Sequence, residues 1–137
     1  MCKSEKHKNI IERVRDRYVD YQFTVEHLAN EVGLSLSQLR ERIHFEYGMS
    51  PQELIETVRL EEAIKSLCKN KRQNLYELCA TVGYMSLRTF LDAFKRRVGV
   101  TPTHWRAAVE ELHDTSEEMD RCIGLLWSNK GPDEKFR

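Results

Sequence analysis

The chain has 137 residues, which is enough for one domain or for two small subdomains that share a linker. Its content of 40% hydrophobic and 32% charged residues fits a soluble helical protein, and no apolar run approaches the roughly 18 residues of a membrane span. The formal net charge is zero, so strong non-specific attraction to a polyanion is not expected.

The N-terminal stretch MCKSEKHKNI lacks the apolar segment of a signal peptide, so we expect a cytoplasmic protein. The cysteines, Cys2, Cys68, Cys79 and Cys122, have no close partner in the sequence, and neither a metal site, a disulfide framework nor a cofactor is predicted. The histidines are scattered without the spacing of a nucleophile and its base, so the chain is not expected to be an enzyme.

Charge is distributed unevenly along the chain. Residues 1–21 carry six basic and four acidic groups, residues 22–106 carry twelve and ten, and residues 107–137 carry four and eight. Because the central part is only mildly positive, affinity for a phosphate backbone should depend on local clusters of arginine and lysine.

The first predicted elements are three helices. Apolar residues at helical spacing predict a helix over about residues 8–20. Thr24 is typical of an N-cap and predicts a short helix over Val25–Val32, after which a glycine permits a sharp turn. Ser35 then caps a helix over Leu36–Tyr47.

This third helix has one buried and one outward face. Leu39 and Ile43 define the buried face. The opposite face and its flanks carry Ser37, Gln38, Arg40, Glu41, His44 and Phe45. An outward row on the second helix of a helix-turn-helix is the row that can enter a major groove.

A long spacer helix follows, over Ser50 to Asn70, with Pro51 in its first turn. Its 18 to 20 residues would form a rod of roughly 27 to 30 Å. Lys71 and Arg72 then belong to a small basic turn. That turn can hold a backbone phosphate, or it can carry the cations that are favoured at any helix C-terminus.

The two sides of the spacer are copies of each other. Residues 28–33, LANEVG, align with residues 78–83, LCATVG, at an offset of 50, which becomes 51 after the glycine. The later matches are Ser35 with Ser86, Leu39 with Phe90, Ile43 with Phe94, Gly48 with Gly99, and Ser50-Pro51 with Thr101-Pro102. The sequence therefore predicts a tandem pair of helix-turn-helix units joined by a rigid spacer.

The second copy predicts a helix over Leu75–Val82, capped by Asn74, and a helix over Leu87–Val98, capped by Ser86. A helix from Thr101-Pro102 continues through residues 107–112, and residues 113–116 break it. Residues 117–127 then form a last amphipathic helix, before a frayed polar end from residue 130. Its apolar stripe either packs on the domain or forms a small dimerisation surface.

The arrangement resembles the DNA-binding domain of the AraC/XylS family of bacterial transcription regulators. The resemblance rests on LANEVGLSLSQLRERI, GMSPQELIETVRLEEA and LCATVGYMSLRTFLDAFKRRVGVTPTHWR, and it covers about 85 residues, 22–106. It implies an all-α fold in which the spacer sets the two units about 34 Å apart, so that two recognition helices enter successive major grooves of one duplex. The expected divisions are an N-terminal helix (1–21), the first helix-turn-helix (22–50), the spacer (51–70), the second helix-turn-helix (71–106) and a C-terminal extension (107–137).

By position, the resemblance implies two sets of DNA-contacting residues. The base-reading candidates are Ser37, Gln38, Arg40 and Glu41 in the first unit and Leu87, Arg88, Leu91 and Asp92 in the second. The phosphate-contacting candidates are His44, Thr89, Lys95 and Arg96, together with Lys71 and Arg72 of the basic turn. Arg88 suits guanine and Gln38 suits adenine.

Two acidic residues depart from the family pattern, since Glu41 and Asp92 stand where the family often carries basic or neutral residues. Either carboxylate can accept a hydrogen bond from cytosine N4. Alternatively, Asp92 pairs with Arg88, which lies four residues earlier on the same helix.

The resemblance implies double-stranded DNA and RNA polymerase as partners, and no membrane. Family members usually carry a sensor or dimerisation domain N-terminal to this unit, and 21 residues cannot fold one. The chain is then either the C-terminal part of a longer regulator or a short stand-alone regulator. The alternative function is a helical protein-interaction module that has lost its DNA affinity, an interpretation that the neutral net charge favours.

Overall fold

The structure is a computed structural model that describes residues 10–70, 72–112 and 115–129. These residues form α-helices joined by short turns, as an all-α fold predicts. In chain order the helices are α1 (Ile10–Arg17), α2 (Val25–Val32), α3 (Leu36–Tyr47), α4 (Pro51–Lys69), α5 (Leu75–Thr81), α6 (Leu87–Val98), α7 (Pro102–Glu110) and α8 (Thr115–Ser128). Within this described part of the chain, no helix combines the length and the apolar character needed to cross a bilayer.

Side-chain caps fix where most of these helices begin. The Ser50 hydroxyl accepts a hydrogen bond from the backbone N–H of Glu53 at 3.1 Å, and the Glu53 carboxylate accepts one from the N–H of Ser50 at 2.9 Å. Thr24 and Ser35 make the same reciprocal capping box, and Asn74, Ser86 and Thr101 cap the later helices. These hydrogen bonds confirm the predicted caps. Each cap accepts from N–H groups that the helix itself leaves without an acceptor.

Some predicted helix ends differ from the structure by a few residues. The predicted helix over 8–20 starts outside the described residues and ends at Arg17, where the chain turns and the N–H of Asp20 donates to the Arg17 carbonyl oxygen at 3.1 Å. The helix predicted to end at Val82 ends at Thr81, and the helix predicted to reach residue 112 ends at Glu110. The last helix begins at Thr115, inside the stretch 113–116 that was expected to interrupt the helical structure.

The long helix α4 contributes to two hydrophobic cores. In the first core, Leu54, Ile55 and Val58 of α4 pack with buried residues of α1, α2 and α3. In the second core, Leu60 and Ile64 pack with buried residues of α5, α6, α7 and α8. The spacer is thus part of the interior of both helix-turn-helix units.

The C-terminal helix α8 packs on the domain, which is the first of the two interpretations of its apolar stripe. Cys122 and Leu126 are buried in the second core. The next residue, Trp127, packs against the first core. Residues from 130 onward, which were expected to form a polar end, lie outside the described residues.

Candidate nucleic-acid interface

Helix α3 presents the first set of predicted DNA contacts to solvent. Leu39 and Ile43 are fully buried and hold this helix against the first core, as predicted. The opposite face leaves exposed Ser37, Gln38, Arg40, Glu41 and His44. The amide oxygen of Gln38 accepts a hydrogen bond from the N–H of Ser35 at 3.0 Å, so bidentate recognition of adenine must share this oxygen with the cap or replace the cap contact.

Helix α6 presents the second set in the same way, with Phe90 and Phe94 fully buried beneath it. The Arg88 side chain is 92% exposed and the Asp92 side chain 77% exposed, and Arg88 Nε lies 4.0 Å from Asp92 Oδ2. This contact agrees with surface pairing of the two residues. An exposed pair of this kind is weak, so the arginine remains available to a base.

Two other base-reading candidates on α6 are less accessible. Leu87 and Leu91 are half-buried and pack against the second core. Thr89, a phosphate candidate, is exposed, and its hydroxyl lies 2.8 Å from that of Ser86 in the helix cap. The polar part of this recognition surface is therefore centred on Arg88, Asp92 and the exposed Lys95.

The basic phosphate candidates have different surroundings. Arg96 donates to both carboxylate oxygens of Glu56, at 3.2 Å and 2.7 Å, and this hydrogen-bonded pairing raises the pKa of the Arg96 guanidinium. Arg72 is exposed beyond the end of α4, and Lys71 lies outside the described residues. A phosphate that binds Arg96 must therefore compete with Glu56.

Arg97 positions α6 and was not among the predicted site residues. Its side chain is 9% exposed, and its guanidinium donates to Glu56 at 2.7 Å, to the Thr57 hydroxyl at 2.9 Å and to the carbonyl oxygen of Leu126 at 3.1 Å. These contacts join α6 to α4 and α8. The helical period offered a signal, since residue 97 follows Phe90 and Phe94 on the buried side of α6.

Arg59 joins the two units and was also not assigned a role. Its Nε donates to the carbonyl oxygen of Tyr18 at 3.0 Å, and its Nη2 donates to that of Asp20 at 3.1 Å. Its guanidinium also lies 5.7 Å from the ring centre of Tyr84 in the second unit. Burial lowers the pKa of this guanidinium, but an arginine side chain stays charged at physiological pH.

Comparison with known proteins agrees with this geometry. The model of a helix-turn-helix domain family matches residues 28–108. The HTH-type transcriptional regulator MtrA of Neisseria gonorrhoeae is 28% identical over 98 residues, which cover 72% of this chain and 32% of the relative. The xylose operon regulatory protein of Escherichia coli K12 is 31% identical over 88 residues, which cover 64% of this chain and 22% of the relative. The chain thus spans about a third or less of the length of these relatives.

A solved structure shares the arrangement of helices. The C-terminal domain of AraT, a response regulator from Geobacillus stearothermophilus, superimposes with a TM-score of 0.69 at 26% identity. The superposition covers 74% of this chain and 83% of that domain. The corresponding domain of the response regulator yesN from Fusobacterium nucleatum gives a TM-score of 0.58 at 26% identity, over 65% of this chain and 91% of that domain.

Proposed function

The chain belongs to the AraC/XylS family of bacterial helix-turn-helix transcription regulators, and on this basis we propose that α3 and α6 enter successive major grooves of one DNA duplex. The family is one of DNA-binding regulators rather than enzymes. The function proposed for the chain is sequence-specific binding to double-stranded DNA and regulation of transcription.

The observation that carries the proposal is the matched exposure of the two outward rows. In each unit, large apolar residues hold the second helix from behind, and its exposed polar or charged side chains stand outward. The outward side chains lie on the side of each helix away from the hydrophobic core, so their hydrogen-bonding groups can reach the edges of DNA bases.

We assign base reading to the exposed polar side chains of the two rows. In α3 these are Ser37, Gln38, Arg40 and Glu41, and in α6 they are Arg88 and Asp92. The half-buried Leu87 and Leu91 are proposed to contact bases through their exposed edges, where apolar contact favours a thymine methyl group.

Phosphate contacts are proposed for His44, Thr89, Lys95, Arg96, Lys71 and Arg72. The balanced charge of the whole chain means that this local set supplies the electrostatic attraction. The same proposal includes RNA polymerase as a partner, an N-terminal sensor or dimerisation domain that is absent from this chain, and a cytoplasmic location. These are properties that members of this family usually have.

A salt titration on a selected duplex tests the function. Duplexes that bind the protein are first enriched from a random pool, and affinity is then measured as salt increases. If the four lysine and arginine candidates contact phosphates, affinity should fall roughly 100-fold between about 50 and 200 mM salt. Lys95→Ala should reduce the slope of the logarithmic plot by about one, with little change in base preference.

Two results would oppose the proposal. If the protein enriches no sequence from the pool, it does not read bases. If it has negligible affinity for DNA even at low salt, the rival assignment as a protein-interaction module gains support.

A further inference from the structure

We propose that α8 acts as a brace that holds the two recognition helices in a fixed relative position, and so sets which spacing between DNA half-sites the protein accepts. Trp127 is the positioning residue of this brace. The inference rests on the proposed function, because spacing has meaning only when both α3 and α6 contact one duplex. Its structural part can nevertheless be tested without DNA.

One side of the brace contacts the first unit through Trp127. The indole Nε1 donates to Glu61 Oε1 of α4 at 3.0 Å. The ring lies 5.8 Å from that of Tyr47, which is the last residue of α3, and the guanidinium of Arg15 in α1 lies 5.7 Å from the indole centre. A single side chain therefore contacts three helices of the first core.

Glu61 extends this contact. Its carboxylate is nearly buried, with one oxygen accepting from Trp127 and the other accepting from Arg15 at 2.7 Å. Because both donors satisfy the same buried acid, α1 and α8 are held against α4 at one point.

The other side of the brace belongs to the second unit. Cys122 and Leu126 are buried in the second core, and the Leu126 carbonyl oxygen accepts from Arg97 of α6 at 3.1 Å. Two consecutive residues of α8 therefore contact different units. Leu126 accepts the hydrogen bond from α6 of the second unit, and the ring of Trp127 packs on Tyr47 at the end of α3 in the first unit. Together they link the two recognition helices by a route that does not pass along the length of α4.

This link bears on spacing because each added base pair rotates the second half-site by about 35° and moves it about 3.4 Å along the duplex axis. A rigidly joined pair of readers gains from both contacts only when the half-sites have the matching separation. A loosely joined pair accepts several separations but binds the best one less tightly, since ordering the two units then costs entropy.

The experiment compares Trp127→Ala with Met119→Ala in the full chain. Met119 lies on the same helix, is half-buried and packs against the second core, so it serves as a matched control that leaves the contacts of Trp127 in place. Affinity is measured on the selected duplex and on duplexes in which one base pair is inserted or removed between the half-sites.

Wild type and Met119→Ala should each prefer the selected spacing by about tenfold or more. Trp127→Ala should lose about tenfold on that spacing and much less on the altered ones, so that the preference falls below about threefold. An equal loss on every spacing, or an unchanged preference, would overturn the proposal. Trp127→Phe, which keeps an aromatic ring beside Tyr47 and Arg15 and removes the donor to Glu61, should show a preference between those of wild type and Trp127→Ala.

A second measurement separates this inference from the proposed function. Spin labels are introduced through unnatural amino acids at Glu26 and Glu77, which are exposed on α2 and α5. The distance distribution between them should be narrow in wild type and Met119→Ala and clearly broader in Trp127→Ala. Equal widths in all three proteins would exclude the brace, whatever the protein does with DNA. If the distribution broadens in Trp127→Ala while the wild-type protein enriches no duplex from the random pool, the brace is supported and the DNA proposal is contradicted.

Discussion

Gly83 of the second unit lies directly against the carbonyl oxygen of Tyr18 in the first. A Cβ added to Gly83 would lie 1.9 Å from that oxygen and 2.8 Å from Nε of Arg59, which donates a hydrogen bond to the same carbonyl. The glycine also has a φ of 90°, in the region that other residues rarely adopt. The junction between the two units therefore depends on a backbone that carries no side chain.

Replacing this glycine should destabilise the protein strongly. Gly83→Ala must push apart the two units and strain the turn, and we expect a loss of about 3 kcal/mol or more in the free energy of unfolding. Gly48→Ala is the matched control, because Gly48 has a φ of 69° and a Cβ added there would meet no neighbouring atom within 4 Å. It should lose only about 1 kcal/mol. Equal losses in urea unfolding would contradict the contact.

Two neighbouring arginines of α6 should differ in their contribution to stability. Arg97→Met removes contacts of a nearly buried guanidinium with Glu56, Thr57 and Leu126, and we expect a loss of about 2 to 4 kcal/mol. Arg96→Met removes an ion pair to the same Glu56 from a side chain that is 61% exposed, and should lose less than about 1 kcal/mol. Chemical denaturation of both variants checks the difference, and a larger loss for Arg96→Met would refute it.

The starts of the helices could be predicted because they depend on neighbours in the sequence. Ser50 followed by Pro51 is a local signal, and the hydroxyl of Ser50 needs only the N–H three residues later. Periodicity likewise predicted that Phe90 and Phe94 face inward. The end of α1 was misplaced because apolar spacing does not show that the chain turns after Arg17, where the N–H of Asp20 donates to the Arg17 carbonyl oxygen.

The acid limb of the stability curve should depend on Glu53. The N–H of Ser50 donates to its carboxylate and holds the pKa of Glu53 below its usual 4.5. The unfolded chain therefore binds a proton at Glu53 more readily than the folded protein does. The ionised carboxylate stabilises the fold at pH values above 4.5, and this stabilisation is lost as the pH falls through the lower folded-state pKa.

Glu53→Gln keeps an acceptor oxygen for the cap but removes the charge. The variant should be less stable than wild type near neutral pH, and the difference should shrink between about pH 5 and pH 3. Unfolding free energies measured across this range test the expectation. Glu53→Ala, which removes the acceptor of the Ser50 N–H and leaves the Ser50 hydroxyl contact in place, should be destabilised at every pH. Parallel curves for wild type and Glu53→Gln would show that the charge has no effect.

Arg88 should determine preference at one base pair. Arg88→Ala is expected to cost about 1 to 3 kcal/mol on the selected duplex and to relax specificity at a single position. Asp92→Ala removes the carboxylate that lies 4.0 Å from Arg88 and, if that carboxylate only pairs with the arginine, should leave the preferred base unchanged. Binding to a panel of single-base variants gives the result, and a loss shared by all sequences would make Arg88 a phosphate contact instead.

The residues that hold the interface together were harder to predict than those that face outward. Arg59 and Tyr18 are 41 positions apart, and Trp127 and Glu61 are 66 apart. A helical period shows which side of a helix is buried, but it does not show which distant residue covers that side. For the same reason the sequence did not predict that Leu87 and Leu91 are half-buried against the second core.

The shared helix α4 also bears on how the two repeats unfold. Part of the hydrophobic core of each repeat is formed by this helix. If one repeat were isolated, the apolar side chains of α4 that pack into the other core would be exposed to water. Melting either half must disturb the other, and the two copies should lose structure in one cooperative step. The two copies therefore form a single folding unit that cannot be divided at the seam between them.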